Sequence, residues 1–190
     1  MHEFEHDGYP PGDLAIWIFI MAEMLAFGVL FIVYAFSRKH QIEIFNASQL
    51  TLNKAAGAIN TLVLISSSYC LVRAISAIKQ DLNRNSIRWL IGAVLLGAVF
   101  IGIKLWEYQE KYALNISLDT NDFYMFYFSL TFFHLMHVLM GMIILMFVIA
   151  KARRGGYSSQ DYIGIETGAS FWHMVDLLWI ILFPLIYIIR

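Results

Sequence analysis

Five ionisable side chains stand near the middle of long apolar runs: Glu23, His134, His137, His173 and Asp176. An unpaired charge in hydrocarbon costs about 3 kcal/mol or more, so such groups face a protein interior or a functional site. Three chemistries fit these residue types. Imidazoles at i and i+3, with a third on another segment and carboxylates nearby, are the ligand supply of a metal or haem site in a helix bundle. Carboxylates and imidazoles sharing one layer could instead pass protons. The third reading is structural: histidines satisfied by Asp176, Glu23, Thr131 or backbone carbonyls tie helices together. The pattern favours this last one. A di-iron bundle draws Glu-x-x-His pairs from two helices, and no such pair occurs in the apolar runs. Glu23, among Phe19, Ala22, Ala26 and Phe27, has no series of titratable groups leading along its helix to a surface. Glu23 can therefore serve as a neutral hydrogen-bond donor or take a direct functional role.

The elements that must position these groups are helices. A membrane helix needs about 20 apolar residues to cross roughly 30 Å of hydrocarbon. Five segments qualify, at about 13–36, 55–78, 89–108, 123–149 and 165–189. Asp13 is placed to cap the first, and Lys151, Arg153, Arg154, Gly155 and Gly156 close the fourth. The fold class is all-α: a polytopic membrane protein, a single bundle of five transmembrane helices over residues 1–190. The longest connection, about 18 residues between the first two spans, leaves no room for an extramembrane catalytic domain. At 1.5 Å per residue, Glu23, His134, His137 and Asp176 all fall about 15–20 Å into their helices, near the midplane. Tyr127, Thr131, His134, Val138 and Gly141 form one stripe expected to pack against protein, and Glu166, Ser170, His173 and Asp176 share a side of the last helix.

Composition agrees with this. Hydrophobic residues make up 59% of the chain and charged ones 14%, and the mean hydropathy is +0.65. A net charge of −1 provides no basic surface for phosphates and excludes nucleic acid as a partner. The single cysteine, Cys70, lies in an apolar run and reads as a small core residue, with no disulfide or thiolate metal site to follow from it. His2 and His6, among carboxylates, could catch a metal but read as part of a solvated tail. Ser66, Ser67 and Ser68 are expected to pack helices rather than act as nucleophiles. Lys104, Glu107 and Glu110, near the end of the third span, are expected to snorkel to the interface. The odd helix number and lack of a repeat weigh against a transporter built of inverted halves. Short basic loops after the second and fourth spans place the amino terminus in the cytoplasm, although the Lys and Arg count, six inside against five outside, is nearly even.

Read in order, AIWIFIMAEMLAFGVLF around Glu23, NTLVLISSS from Asn60, WEY at Trp106 to Tyr108, TFFHLMHVLMG from Thr131 to Gly141 and IETGASFWHMVDLLWIILFPLIY from Ile165 to Tyr187 resemble subunit III of the haem-copper respiratory oxidases. The match covers nearly the whole chain. The resemblance implies a non-catalytic subunit of a terminal oxidase in aerobic electron transport, in the bacterial inner membrane. Such a subunit has no metal or redox centre of its own. It docks on catalytic subunit I, which holds the haems and copper, with subunit II as a further partner. It holds phospholipid, supports proton uptake and protects the catalytic subunit during turnover. By position, Glu23 and Lys151 would contact lipid, while His134, His137, His173, Asp176, Thr131, Asn60 and Glu166 would be packing and hydrogen-bonding residues. Seven-helix members carry two more helices ahead of the matched region, and five-helix versions are similar to bacterial quinol oxidase subunits. The segment PPGDLAIWIF is similar also to an accessory protein of nitric oxide reductase, which is the alternative. Free-standing haem or metal enzymes and transporters stand further off.

Overall fold

The computed structural model describes residues 13–189; His2 and His6 lie outside them. The described residues are mostly helical, with no strand among them. The helices are α1 (Leu14–His40), α2 (Ile42–Gln49), α3 (Lys54–Lys79), α4 (Asn83–Ala113), α5 (Asp122–Arg153) and α6 (Ile163–Phe183), followed by a π-helical turn, Pro184–Ile188. Five helices are long and apolar enough to cross a membrane, the last being α6 run on to Ile188. Side-chain caps start three of them: Asp13 accepts from the Ala15 amide, Asn53 from Ala56 and Asn121 from Tyr124. Each satisfies an amide that the first turn leaves without a partner.

Helices α3, α4, α5 and α6 form a closed ring in which each packs against the next and α6 returns to α3. Helix α1 leans on the α5–α6 side of this ring. It buries a single file, Ile20, Phe27 and Tyr34, at seven-residue spacing, and leaves Leu14, Ile18, Met21, Leu25 and Ile32 exposed on its outer side. Small residues let the ring close. A Cβ on Gly97 of α4 would stand 2.7 Å from the Trp172 ring, and one on Gly141 of α5 would stand 2.9 Å from it. The indole of α6 therefore fills the space that both glycines leave.

Two features depart from the expected spans. Helix α2 occupies part of what read as an 18-residue loop, and α4 and α5 extend to 31 and 32 residues. The carboxyl end does not continue as an α-helix. Pro184 has no N–H for the carbonyl one turn back, and the Ile189 amide closes instead on the Pro184 carbonyl at 2.9 Å, an i to i+5 bond. Gln49 of α2 then donates its side-chain amide to the carbonyls of Ile186 (2.8 Å) and Ile189 (3.0 Å). Backbone groups released at a helix break near a membrane need such a partner, which explains why α2 is tucked against the turn. Cys70 is partly rather than fully buried.

Candidate functional site

The polar groups inside the bundle sort into separate clusters. His137 of α5 faces α1, with its Nε2 3.0 Å from a Glu23 carboxyl oxygen and its Nδ1 2.8 Å from the Phe133 carbonyl. A carbonyl can only accept, so Nδ1 carries a proton. Nε2 and Glu23 then share a second one, as imidazolium with carboxylate or imidazole with carboxylic acid. Phe27 and Phe133 wall the pair at 5.4 and 4.9 Å from the imidazole. The Glu23 side chain stays 20% exposed, although it lies on the same side of α1 as the buried Ile20 and Phe27.

His134 lies one turn away and turns into the ring. It is fully buried between Phe100 (5.6 Å) and Trp179 (5.1 Å), and neither ring nitrogen has a hydrogen-bond partner among the described residues. The expectation that Asp176, Glu23, Thr131 or a carbonyl would satisfy it is corrected here. Glu23 is taken by His137, while Thr131 bonds the Tyr108 hydroxyl at 2.7 Å and the carbonyl of Tyr127. Asn60 is likewise buried with both side-chain polar atoms unpartnered. His173 on α6 reaches Ser68 of α3 at 3.3 Å, and Ser68 also hydrogen-bonds Asp176. Ser67 donates to the Ala93 carbonyl of α4. Glu166 pairs with Lys79 at 3.6 Å. Lys151 lies over the Tyr157 ring, its Nζ 4.5 Å from the centroid. Burial, with Asp161 nearby, pushes the Tyr157 phenol up, so the ring stays neutral beneath the ammonium.

The cluster that sequence reasoning missed is the most deeply buried. Lys104 and Glu107 do not snorkel; both side chains are 0% exposed and form an ion pair at 3.0 Å. The Lys104 ammonium also donates to the hydroxyls of Tyr187 (2.7 Å) and Tyr127 (3.3 Å), which accounts for its three protons. Tyr187 donates to the other Glu107 oxygen at 2.7 Å. The rings of Tyr108, Tyr127, Trp179 and Tyr187 stand 4.8–5.4 Å from the same ammonium. The correction has a simple cause. Helix α4 runs to Ala113, nine residues past Lys104, so the ammonium is about 13 Å from the helix end and beyond the reach of its own side chain. The signal was present: Phe100, Lys104, Glu107, Tyr108 and Lys111 share one side of α4, and all five are buried.

No group of three or more His, Cys, Asp or Glu side chains is gathered for a metal among the described residues. Both nitrogens of His137 are engaged, and aromatic rings cover His134.

The model of the cytochrome c oxidase subunit III family matches residues 11–190. The chain belongs to that family. It is 35% identical, over 99% of its length and 91% of the relative's, to cytochrome c oxidase subunit 3 of Thermostichus vulcanus. It is 26% identical to cytochrome bo(3) ubiquinol oxidase subunit 3 of Buchnera aphidicola, over 91% of this chain and 84% of that one. The heme-copper oxidase subunit I+III of Aeropyrum pernix is 25% identical over 97% of this chain, which spans 24% of that protein. These relatives indicate subunit III of a cytochrome c or quinol oxidase and do not favour the nitric oxide reductase alternative. As a member of this family the chain is a multi-pass membrane protein.

Proposed function

We propose that this chain acts as a non-catalytic subunit III of a bacterial terminal oxidase, docked on the subunit that holds the haems and copper and carrying phospholipid along α1 and α5. The observation behind the lipid assignment is the Glu23–His137 pair, which joins α1 to α5 at mid-depth while the Glu23 side chain stays 20% exposed. Lys151 lies fourteen residues further along α5, about 21 Å away along the helix axis, close to the length of an acyl chain. A headgroup at Lys151 would lay its chain beside Glu23. In this reading the pair supports proton uptake and the working lifetime of the catalytic subunit, and the basic ends of α3 and α5 face the cytoplasm.

The test is Glu23→Gln in the assembled oxidase. Bound phospholipid per complex and the number of turnovers before inactivation should both fall, with assembly retained. If lipid content and turnover lifetime match the unmodified complex, the assignment of Glu23 fails. Absence of the chain from a purified haem-copper oxidase would overturn the docking itself.

A further inference from the structure

At the end of the molecule opposite Lys151, the last turns of α1, the start of α2 and the carboxyl-terminal turn enclose a groove of about 420 Å3 lined by Tyr34, Ala35, Arg38, Lys39, Ile42, Leu185 and Ile189. Its floor is apolar and its rim is cationic. Neither Arg38 nor Lys39 has an ion-pair partner among the described residues. The Arg38 guanidinium makes one long contact, 3.5 Å to the Asn46 side chain, which leaves most of its donors unused. Asp122, a carboxylate at this end of the molecule, is taken by the Gln41 amide. Tyr34 is held in place by its hydroxyl bond to the Leu185 carbonyl at 3.3 Å, so one wall of the groove is fixed. Further along α1, the exposed Ile32, three residues before Ala35 and seven before Lys39 on the same side of the helix, continues the apolar surface into the membrane.

We propose that this groove is a headgroup site for an anionic phospholipid. A guanidinium beside an ammonium matches a phosphodiester, with Arg38 able to present two parallel N–H donors. A membrane anion is the occupant the surroundings select, because apolar walls suit the glycerol and the first methylenes of a lipid and leave a free aqueous ion poorly solvated. The site rests on the membrane-spanning architecture and is independent of the Glu23 to Lys151 assignment; the two lie toward opposite faces of the membrane.

The test uses the oxidase complex that contains this chain, with a photoactivatable diazirine on the headgroup of phosphatidylglycerol. Cross-links should map to residues 34–42, and unlabelled phosphatidylglycerol should compete while phosphatidylcholine and inorganic phosphate do not. Each cation is expected to contribute about fivefold in retention, so Arg38→Gln with Lys39→Gln should lower labelling more than tenfold. Ala35→Trp, which fills the groove without touching its charge, should lower it too, and Glu23→Gln should leave it unchanged. The proposal is overturned by any of three results: no cross-link in this segment of the unmodified complex, equal competition by phosphatidylcholine or phosphate, or labelling that survives loss of both cations.

Discussion

Replacing Lys104 with methionine tests whether the buried ion pair is a structural requirement. Lys104 and Glu107 are fully enclosed, and the ammonium's three donors go to Glu107, Tyr187 and Tyr127. Methionine fills much of the same space but leaves the Glu107 carboxylate with a single donor, Tyr187, and without its ion-pair partner. Breaking a buried pair from one side costs about 3–5 kcal/mol, whereas replacing both partners with apolar groups is often close to neutral. At about 1.4 kcal/mol per tenfold, Lys104→Met should shift the folding equilibrium by roughly two to three and a half orders of magnitude. Glu107→Met should do similar damage by stranding the ammonium. The double variant should recover most of the loss, giving a coupling of several kcal/mol in a double-mutant cycle. The assay is denaturant unfolding of the subunit in its purified complex, followed by tryptophan fluorescence because Trp179 adjoins the ammonium. Single variants costing less than about 1 kcal/mol, or a double variant equal to the sum of the singles, would refute the reasoning and mean that the site admits water.

Gly97→Ala and Gly141→Ala each bring a methyl within 3 Å of the Trp172 indole, so each should cost about 1–3 kcal/mol by overpacking; Trp172→Phe should relieve either one, as read from the unfolding midpoint of the complex. Hydrogen bonds from the Ser159 hydroxyl and amide hold the Asp81 carboxyl below its usual range and tie the α3–α4 loop to the α5–α6 loop. With a lowered folded value the tie is fully present above the unfolded pKa and is lost as pH falls through the folded one. Exchange protection of the Ser159 amide should therefore be constant at neutral pH and drop below about pH 3.8. Asp81→Gly accepts the positive φ of 56° at this position and should abolish both the protection and its pH dependence. A Ser159 amide that exchanges equally in both proteins would remove the tie from the account.

The sequence by itself determined the number of spanning helices, their order and the common depth at which Glu23 and His137 meet, because apolar run length and a 1.5 Å rise place residues along a helix axis. It also carried the family, through short motifs arranged in order. Tertiary structure decided the partners. His134 and His137 are three residues apart, yet one is held by Glu23 and the other lies between two rings, since a 60° turn around α5 separates α1 from the ring interior. Lys104 reads as an interfacial cation if its helix stops at Tyr108; five more residues of α4, and a tyrosine 83 positions away in a turn created by Pro184, enclose it fully. Depth follows from sequence distance along one helix, but facing does not. Which neighbour a side chain meets depends on how the helices close around Gly97, Gly141 and Trp172.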